Sequence, residues 1–145
     1  MTSDAVVVLD AALREGAARR PAVAGFPHFA EALHRNGVHQ FTYWLPAMQC
    51  LYRTDLGAVL TQDAPLRQGM HDVPEFDEAA LVGALRADQA GKTDFPEFAE
   101  AAWRAGVVHF VVDLDERTCT YTGLDEQSYV EHFPAVTVCG ELPRD

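Results

Sequence analysis

Six histidines, three cysteines and 22 acidic side chains are the groups in this chain whose chemistry could be put to use. A locally built metal site needs ligands at HxH, HxxxH or HExxH spacing, which sets two of them on one face of a strand or helix. His28, His34, His39, His71, His109 and His132 show none of these spacings. His28 and His34 stand six apart, on different sides of a helix containing both. A nucleophilic cysteine needs a lowered pKa and a neighbouring base. Cys50 and Cys119 instead stand among apolar neighbours in strand-like sequence and read as small buried hydrophobes. Cys139, near the C-terminus, is the thiol expected to be accessible. The run Asp113-Leu114-Asp115-Glu116 reads as a solvated hairpin end. There is no GxGxxG, GxxxxGKS/T, GxSxG or CxxC, which removes four common enzyme classes but not enzymes in general. No metal and no cofactor is expected.

Composition narrows the remaining classes. A formal charge of −11, with Arg19-Arg20 as the densest basic pair, argues against nucleic acid, whose binding draws its affinity from Lys and Arg. The acidity serves solubility, with docking on a basic protein partner as the sharper reading. No apolar run approaches the roughly 20 residues that span a bilayer, and no basic region precedes Val6-Val7-Val8-Leu9. Three cysteines, an odd number, do not suit a secreted disulfide framework. A cytoplasmic, membrane-free protein is the expectation.

The elements that must position these groups come in two copies. Phe26-Pro27-His28-Phe29-Ala30-Glu31-Ala32 returns as Phe95-Pro96-Glu97-Phe98-Ala99-Glu100-Ala101, and the same shift of 69 carries Arg35, Gly37, Val38, Phe41, Leu45, Cys50 and Tyr52 onto identical residues. That is 13 identities over 26–52 without a gap, the mark of a duplicated supersecondary unit. Periodicity gives helices over 5–17 (Val6, Leu9 and Leu13 on one stripe) and 26–36, then strands over 38–45, 50–54 and 58–61. The second copy gives helices over 77–90 and 95–105, then strands over 107–114, 118–122 and 128–133. Asp94 and Glu97 fit a capping box, and Glu31/Arg35 and Glu100/Arg104 are i, i+4 pairs. The expected fold is α+β. One domain, 1–145, is built from two helix-helix-meander repeats (about 5–61 and 75–133), with an antiparallel sheet packed against helices.

Strand alternation sorts the side chains. His39, Phe41, Tyr43, Leu45, Cys50 and Tyr52 share one face, and Val108, Phe110, Val112, Leu114, Cys119 and Tyr121 share its counterpart, under the Phe-rich helices. His39 is then a polar residue at a position expected to be buried, and with Tyr43 it is the candidate for a pocket. On the other face Trp44 and Leu51 replace Asp113 and Thr120 and are expected opposite one another across their hairpin. Such a face calls for a cover: segment 62–74, the tail 134–142, a partner subunit or a ligand. Trp44 and Leu51 are therefore the candidate interaction surface, and a homodimer is the expected assembly.

The segments Gln89-Ala90-Gly91-Lys92-Thr93-Asp94-Phe95-Pro96, Ala105-Gly106-Val107, Val111-Val112-Asp113-Leu114 and Thr118-Cys119-Thr120-Tyr121 resemble the YbcV-like bacterial domain of unknown function. Some members of that family are labelled "phage envelope protein". The likeness covers most of the chain and is strongest from about 85 to 133. It implies no activity, cofactor or catalytic residue, so no site transfers with it. The sequence thus leads to a non-catalytic binding or protein-interaction module that self-associates. The alternative is a small enzyme with its site at the seam between the repeats.

Overall fold

The computed structural model describes residues 3–136; Cys139 and the tail beyond Val136 lie outside the described residues. Helix α1 (Asp4–Arg19) starts at Ser3, whose hydroxyl accepts from the Val6 N–H at 3.2 Å. Its buried stripe is Ala5, Leu9, Ala12 and Gly16; of the expected stripe Leu9 is buried, Leu13 is half-buried against the core and Val6 is exposed. The small residues on that stripe let α2 (Phe26–Arg35) come close. A Cβ at Gly16 would stand 2.7 Å from the Phe29 ring.

Strands β1 (Val38–Trp44), β2 (Gln49–Thr54) and β3 (Gly57–Gln62) then form a meander. The second copy repeats the order with α3 (Glu78–Gln89), α4 (Phe95–Arg104), β4 (Val107–Asp113), β5 (Thr118–Gly123) and β6 (Ser128–His132). The capping box on α4 is present: Asp94 Oδ1 accepts from the Glu97 N–H at 2.8 Å and Glu97 Oε1 from the Asp94 N–H at 2.9 Å. Both Phe-Pro helices stop at a glycine with positive φ, Gly37 at 87° and Gly106 at 90°. Arg104 Nε lies 2.6 Å from Glu100 as the i, i+4 spacing predicts, and Arg67 adds a two-pronged contact to the same carboxylate. Arg67 and then Arg104 hold Glu100 down at about 2. Arg35 reaches Glu15 of α1.

The six strands form one antiparallel sheet in the order β3-β2-β1-β4-β5-β6. At its centre Thr42 faces Val111, with Phe41 opposite Val112 and Tyr43 opposite Phe110. Thr42 and Val111 are also equivalent under the 69-residue shift. A pseudo-twofold axis therefore passes through this pair, and the two copies meet strand to strand across it. Inner-face residues of both copies join the helices in one core, including Leu33, Leu81, Phe98 and Trp103.

Three expectations are corrected. Both β1 and β4 carry a bulge, after Val38 and after Val107, which resets the alternation of their first residues. Val38 and Val107 are fully buried, and the His39 side chain is 45% exposed rather than enclosed. Trp44 and Leu51 share the outer face but not a rung: Trp44 faces Gln49 and His109, Leu51 faces Thr42 and Leu60. Segment 62–74 does not cover that face. Asp63 and Leu66 donate to the carbonyls of Met48 and Pro46, and Arg67 reaches α4, so the chain turns to the helix side. Trp44 stays 39% exposed and Leu60 59%. Among the described residues, the tail also runs to the helix side, where Phe133 packs edge-on against Phe26 at 5.3 Å.

Candidate functional site

Between the inner face of the sheet and the helices lies a cavity of about 820 Å³. The duplication explains its lining. Phe26 and Phe29 of α2 face Phe95 and Phe98 of α4, and the floor is Phe41 and Tyr43 of β1 beside Phe110 of β4. Tyr52 of β2 and Tyr121 of β5 flank that floor in equivalent places. The rings are ordered against each other. Tyr43 stacks on Phe110 at 5.6 Å and 11°, meets the edge of Phe95 at 5.0 Å, and Phe110 lies 5.3 Å from Tyr121.

A few polar groups interrupt this apolar wall. The Tyr43 hydroxyl donates to Asp63. Burial, aided by that carboxylate, raises the Tyr43 phenol far above its ordinary value. Burial likewise pushes the Cys50 and Cys119 thiols up to about 12 and raises Tyr52 and Tyr121. These groups stay neutral at physiological pH, so neither buried cysteine supplies a thiolate. The rim is charged: Arg20 pairs with Asp88 at 3.8 Å, and Glu131 accepts from Arg86 at 2.6 Å and Gln89 at 3.0 Å. Burial raises Glu131, but the bonds from Arg86, Gln89 and Tyr129 outweigh it and the net shift is downward. His28 also lines the cavity, and its Nδ1 is buried without a hydrogen-bond partner among the described residues.

A second constellation lies outside the cavity lining. His34 in the last turn of α2, His39 at the start of β1, Asp55 in the β2–β3 turn and Asp115 in the β4–β5 turn converge. Asp115 Oδ1 is 2.9 Å from His34 Nε2 and 3.0 Å from His39 Nδ1, and Asp55 Oδ1 is 2.5 Å from His39 Nε2. Hydrogen bonds to Asp55, then Asp115, lift His39 to about 9. The bond from His39 lowers Asp115 in turn.

The residues picked from sequence fall into three places. Tyr43 lines the cavity, His39 belongs to the histidine–carboxylate cluster, and Trp44 and Leu51 lie on the outer sheet face. Sequence reasoning assigned the Phe and Tyr residues to a core without detecting the open volume they enclose. It also missed Asp115 as a partner of His34 and His39, since 81 and 76 residues separate them. The repeat held a signal: His34, His39 and Asp55 correspond to Trp103, Val108 and Leu124, and Asp115 to Pro46.

Among the described residues no helix is long and apolar enough to cross a membrane. Comparison with known proteins gives relatives but no activity. An uncharacterized protein of Mycobacterium bovis is 61% identical over 135 residues, covering 93% of this chain and 82% of the relative. Uncharacterized proteins from two Mycobacterium tuberculosis strains match to the same extent. Residues 18–132 match the model of a family described as a protein of unknown function, DUF1398. With four fifths of the chain inside that match and relatives this similar, the chain belongs to the DUF1398 family of unknown function.

Proposed function

We propose that this protein binds an apolar, ring-bearing small molecule in the cavity at the seam of its two repeats. The observation that carries the reading is the aromatic-lined cavity of about 820 Å³, within the ~300–1,000 Å³ of small-molecule sites. Its walls favour a flat, neutral body, because Tyr43, Tyr52, Tyr121 and Cys119, which line it, stay protonated. Asp63, His28 and the Arg20–Asp88 pair would orient polar substituents. The seam-enzyme alternative would build on the Tyr43–Asp63 bond, with the phenol held protonated, and on His28. The likeness to YbcV-like proteins belongs to this reading and adds no activity to it.

Self-association is the second part of the reading. On the central strands the outer sheet face carries Trp44 and Leu51 in the first copy where the second carries Asp113 and Thr120, and Leu60 on the edge strand extends the first copy's patch as Val130 flanks Thr120 in the second. A second copy meeting this patch about a twofold axis would cover both patches at once.

The cavity reading is tested by titrating the protein with N-phenyl-1-naphthylamine, a neutral aromatic fluorophore. Thr61→Trp, at the half-buried rim, serves as the blocked variant. Saturable one-to-one binding, weakened at least about tenfold by Thr61→Trp in a protein with unchanged circular dichroism, is the expected result. A folded wild-type protein with no saturable binding overturns the reading.

A further inference from the structure

We propose that His34, His39 and Asp115 form a binding site for a divalent first-row transition metal. Three donor atoms, one per residue, lie within 4.8 Å of one another, and two of the contacts are 2.9 and 3.0 Å. A tetrahedral ion with bonds of ~2.0–2.1 Å separates its ligand atoms by about 3.3 Å. The two contacts to Asp115 Oδ1 therefore need to open by only a few tenths of an ångström, and the two histidine nitrogens, within 4.8 Å of each other, need to close by at most about 1.5 Å to hold the ion. They are free to do so, since the side chains are 35%, 45% and 49% exposed.

The surroundings of His39 fit the same role. A metal-bound histidine commonly turns its other ring nitrogen to a carboxylate, which fixes the tautomer and ring orientation. His39 Nε2 does this with Asp55 at 2.5 Å, leaving Nδ1 for the ion. The Asp115 carboxylate is set by its turn, where the Asp115 and Glu116 N–H groups donate to Asp113 Oδ1 at 3.1 and 3.0 Å.

The repeat supplies an independent argument. Under the 69-residue shift all four residues of the cluster map onto Trp103, Val108, Leu124 and Pro46, none of which can ligate. The shared core does not account for this divergence, because its pairs Phe29/Phe98, Phe41/Phe110, Cys50/Cys119 and Tyr52/Tyr121 are identical in both copies. Two imidazoles and one carboxylate select zinc, iron, cobalt or nickel over magnesium and calcium, which take oxygen ligands. Three protein ligands at an exposed place leave a coordination position for water or a small anion. The site is separate from the aromatic cavity and does not depend on the function proposed for it.

The test is equilibrium titration of the metal-stripped full chain with Zn²⁺ alone, followed by Co²⁺ absorption spectroscopy. One equivalent should bind, and His34→Gln should weaken binding about a hundredfold. Asp55→Asn, a change beside a ligand, should weaken it about 10- to 100-fold. His71→Gln, at an exposed histidine remote in sequence from the cluster, should leave it unchanged. The Co²⁺ spectrum of the wild-type protein needs no variant and should show visible bands of nitrogen and oxygen coordination. Thiolate-to-cobalt charge transfer would put the ion on a cysteine and overturn the assignment. So would the lack of a stoichiometric site, or binding that His34→Gln leaves intact.

Discussion

Replacing Phe98 by alanine tests both the packing of α4 and the open volume beside it. Phe98 is 5% exposed, lines the cavity and lies 6.3–6.5 Å from the rings of Phe95, Phe110 and Tyr121. An aromatic side chain buries ~150–250 Å², of which alanine keeps a part. Losing ~120 Å² at ~25 cal/mol per Å² costs about 3 kcal/mol. In a sealed core the new void would add to this and carry the loss toward ~5 kcal/mol. Here the vacated space opens into volume that already exists, so the added term is small and about 3 kcal/mol is expected. Urea denaturation followed by circular dichroism measures it, with an unchanged m-value showing that stability alone has moved. The melting midpoint should fall by about 10 °C, at roughly 3–4 °C per kcal/mol for a chain of this size. Phe29→Ala, the same change in the first copy at a less buried ring, should cost less. A loss under ~1 kcal/mol would show that α4 does not present Phe98 to the core. A loss near 5 kcal/mol would show that the ring is enclosed and the cavity closed in solution.

Two further outcomes follow from the same geometry. The double change Trp44→Asp with Leu51→Thr, which copies Asp113 and Thr120 onto the first hairpin, should convert a dimer to a folded monomer in sedimentation velocity. A folded variant with unchanged association state removes the outer face as the interface. Cys50 and Cys119, with thiols pushed up to about 12 by burial, should react with maleimide at pH 7 about a thousandfold more slowly than an ordinary thiol of pKa ~8.5. Prompt labelling of either cysteine, located by peptide mapping, would restore the nucleophile reading.

The elements were legible because several local signals agreed at each boundary. Asp94 with Glu97 marks the start of α4 and Gly106 its end; α2 has Gly25 and His28 in place of that box, and the repeated Phe-Pro start and Gly37 fix it by homology of position. What failed was phase. Counting by twos back from Phe41 carries His39 to the buried face, but the bulge inserts a residue and turns it outward. Four residues separate Trp44 from Gln49, and that turn sets Leu51 against Thr42, a register that hydrophobicity alone does not choose. The cavity was hidden for a different reason. A stripe of Phe and Tyr is the same in sequence whether the rings close on each other or stand around a void, since the difference is a matter of helix distance. The histidine–carboxylate cluster joins the end of one copy to a turn of the other, so only the fold brings it together.

The duplication separates scaffold from specificity. Phe26/Phe95, Phe29/Phe98, Phe41/Phe110, Cys50/Cys119 and Tyr52/Tyr121 are identical pairs, and nine of these ten residues line the cavity, on both sides of the axis at Thr42 and Val111. A wall made from these pairs alone would receive a ligand equally well in two orientations related by the axis. Three departures remove that degeneracy. Tyr43 corresponds to Val112, so a hydroxyl and its Asp63 partner stand on one side and a methyl-bearing wall on the other. Thr61 lies opposite Cys50 where Glu131 lies opposite Cys119, which places a carboxylate at that rung on the second side only. His28, in the first turn of α2, corresponds to Glu97, which is committed to the capping box of α4. His28 Nδ1, buried and without a hydrogen-bond partner among the described residues, thus has no counterpart in the second copy. Each departure sets different polar groups on the two sides of the axis, and so would give an asymmetric ligand one preferred orientation in a nearly symmetric cavity.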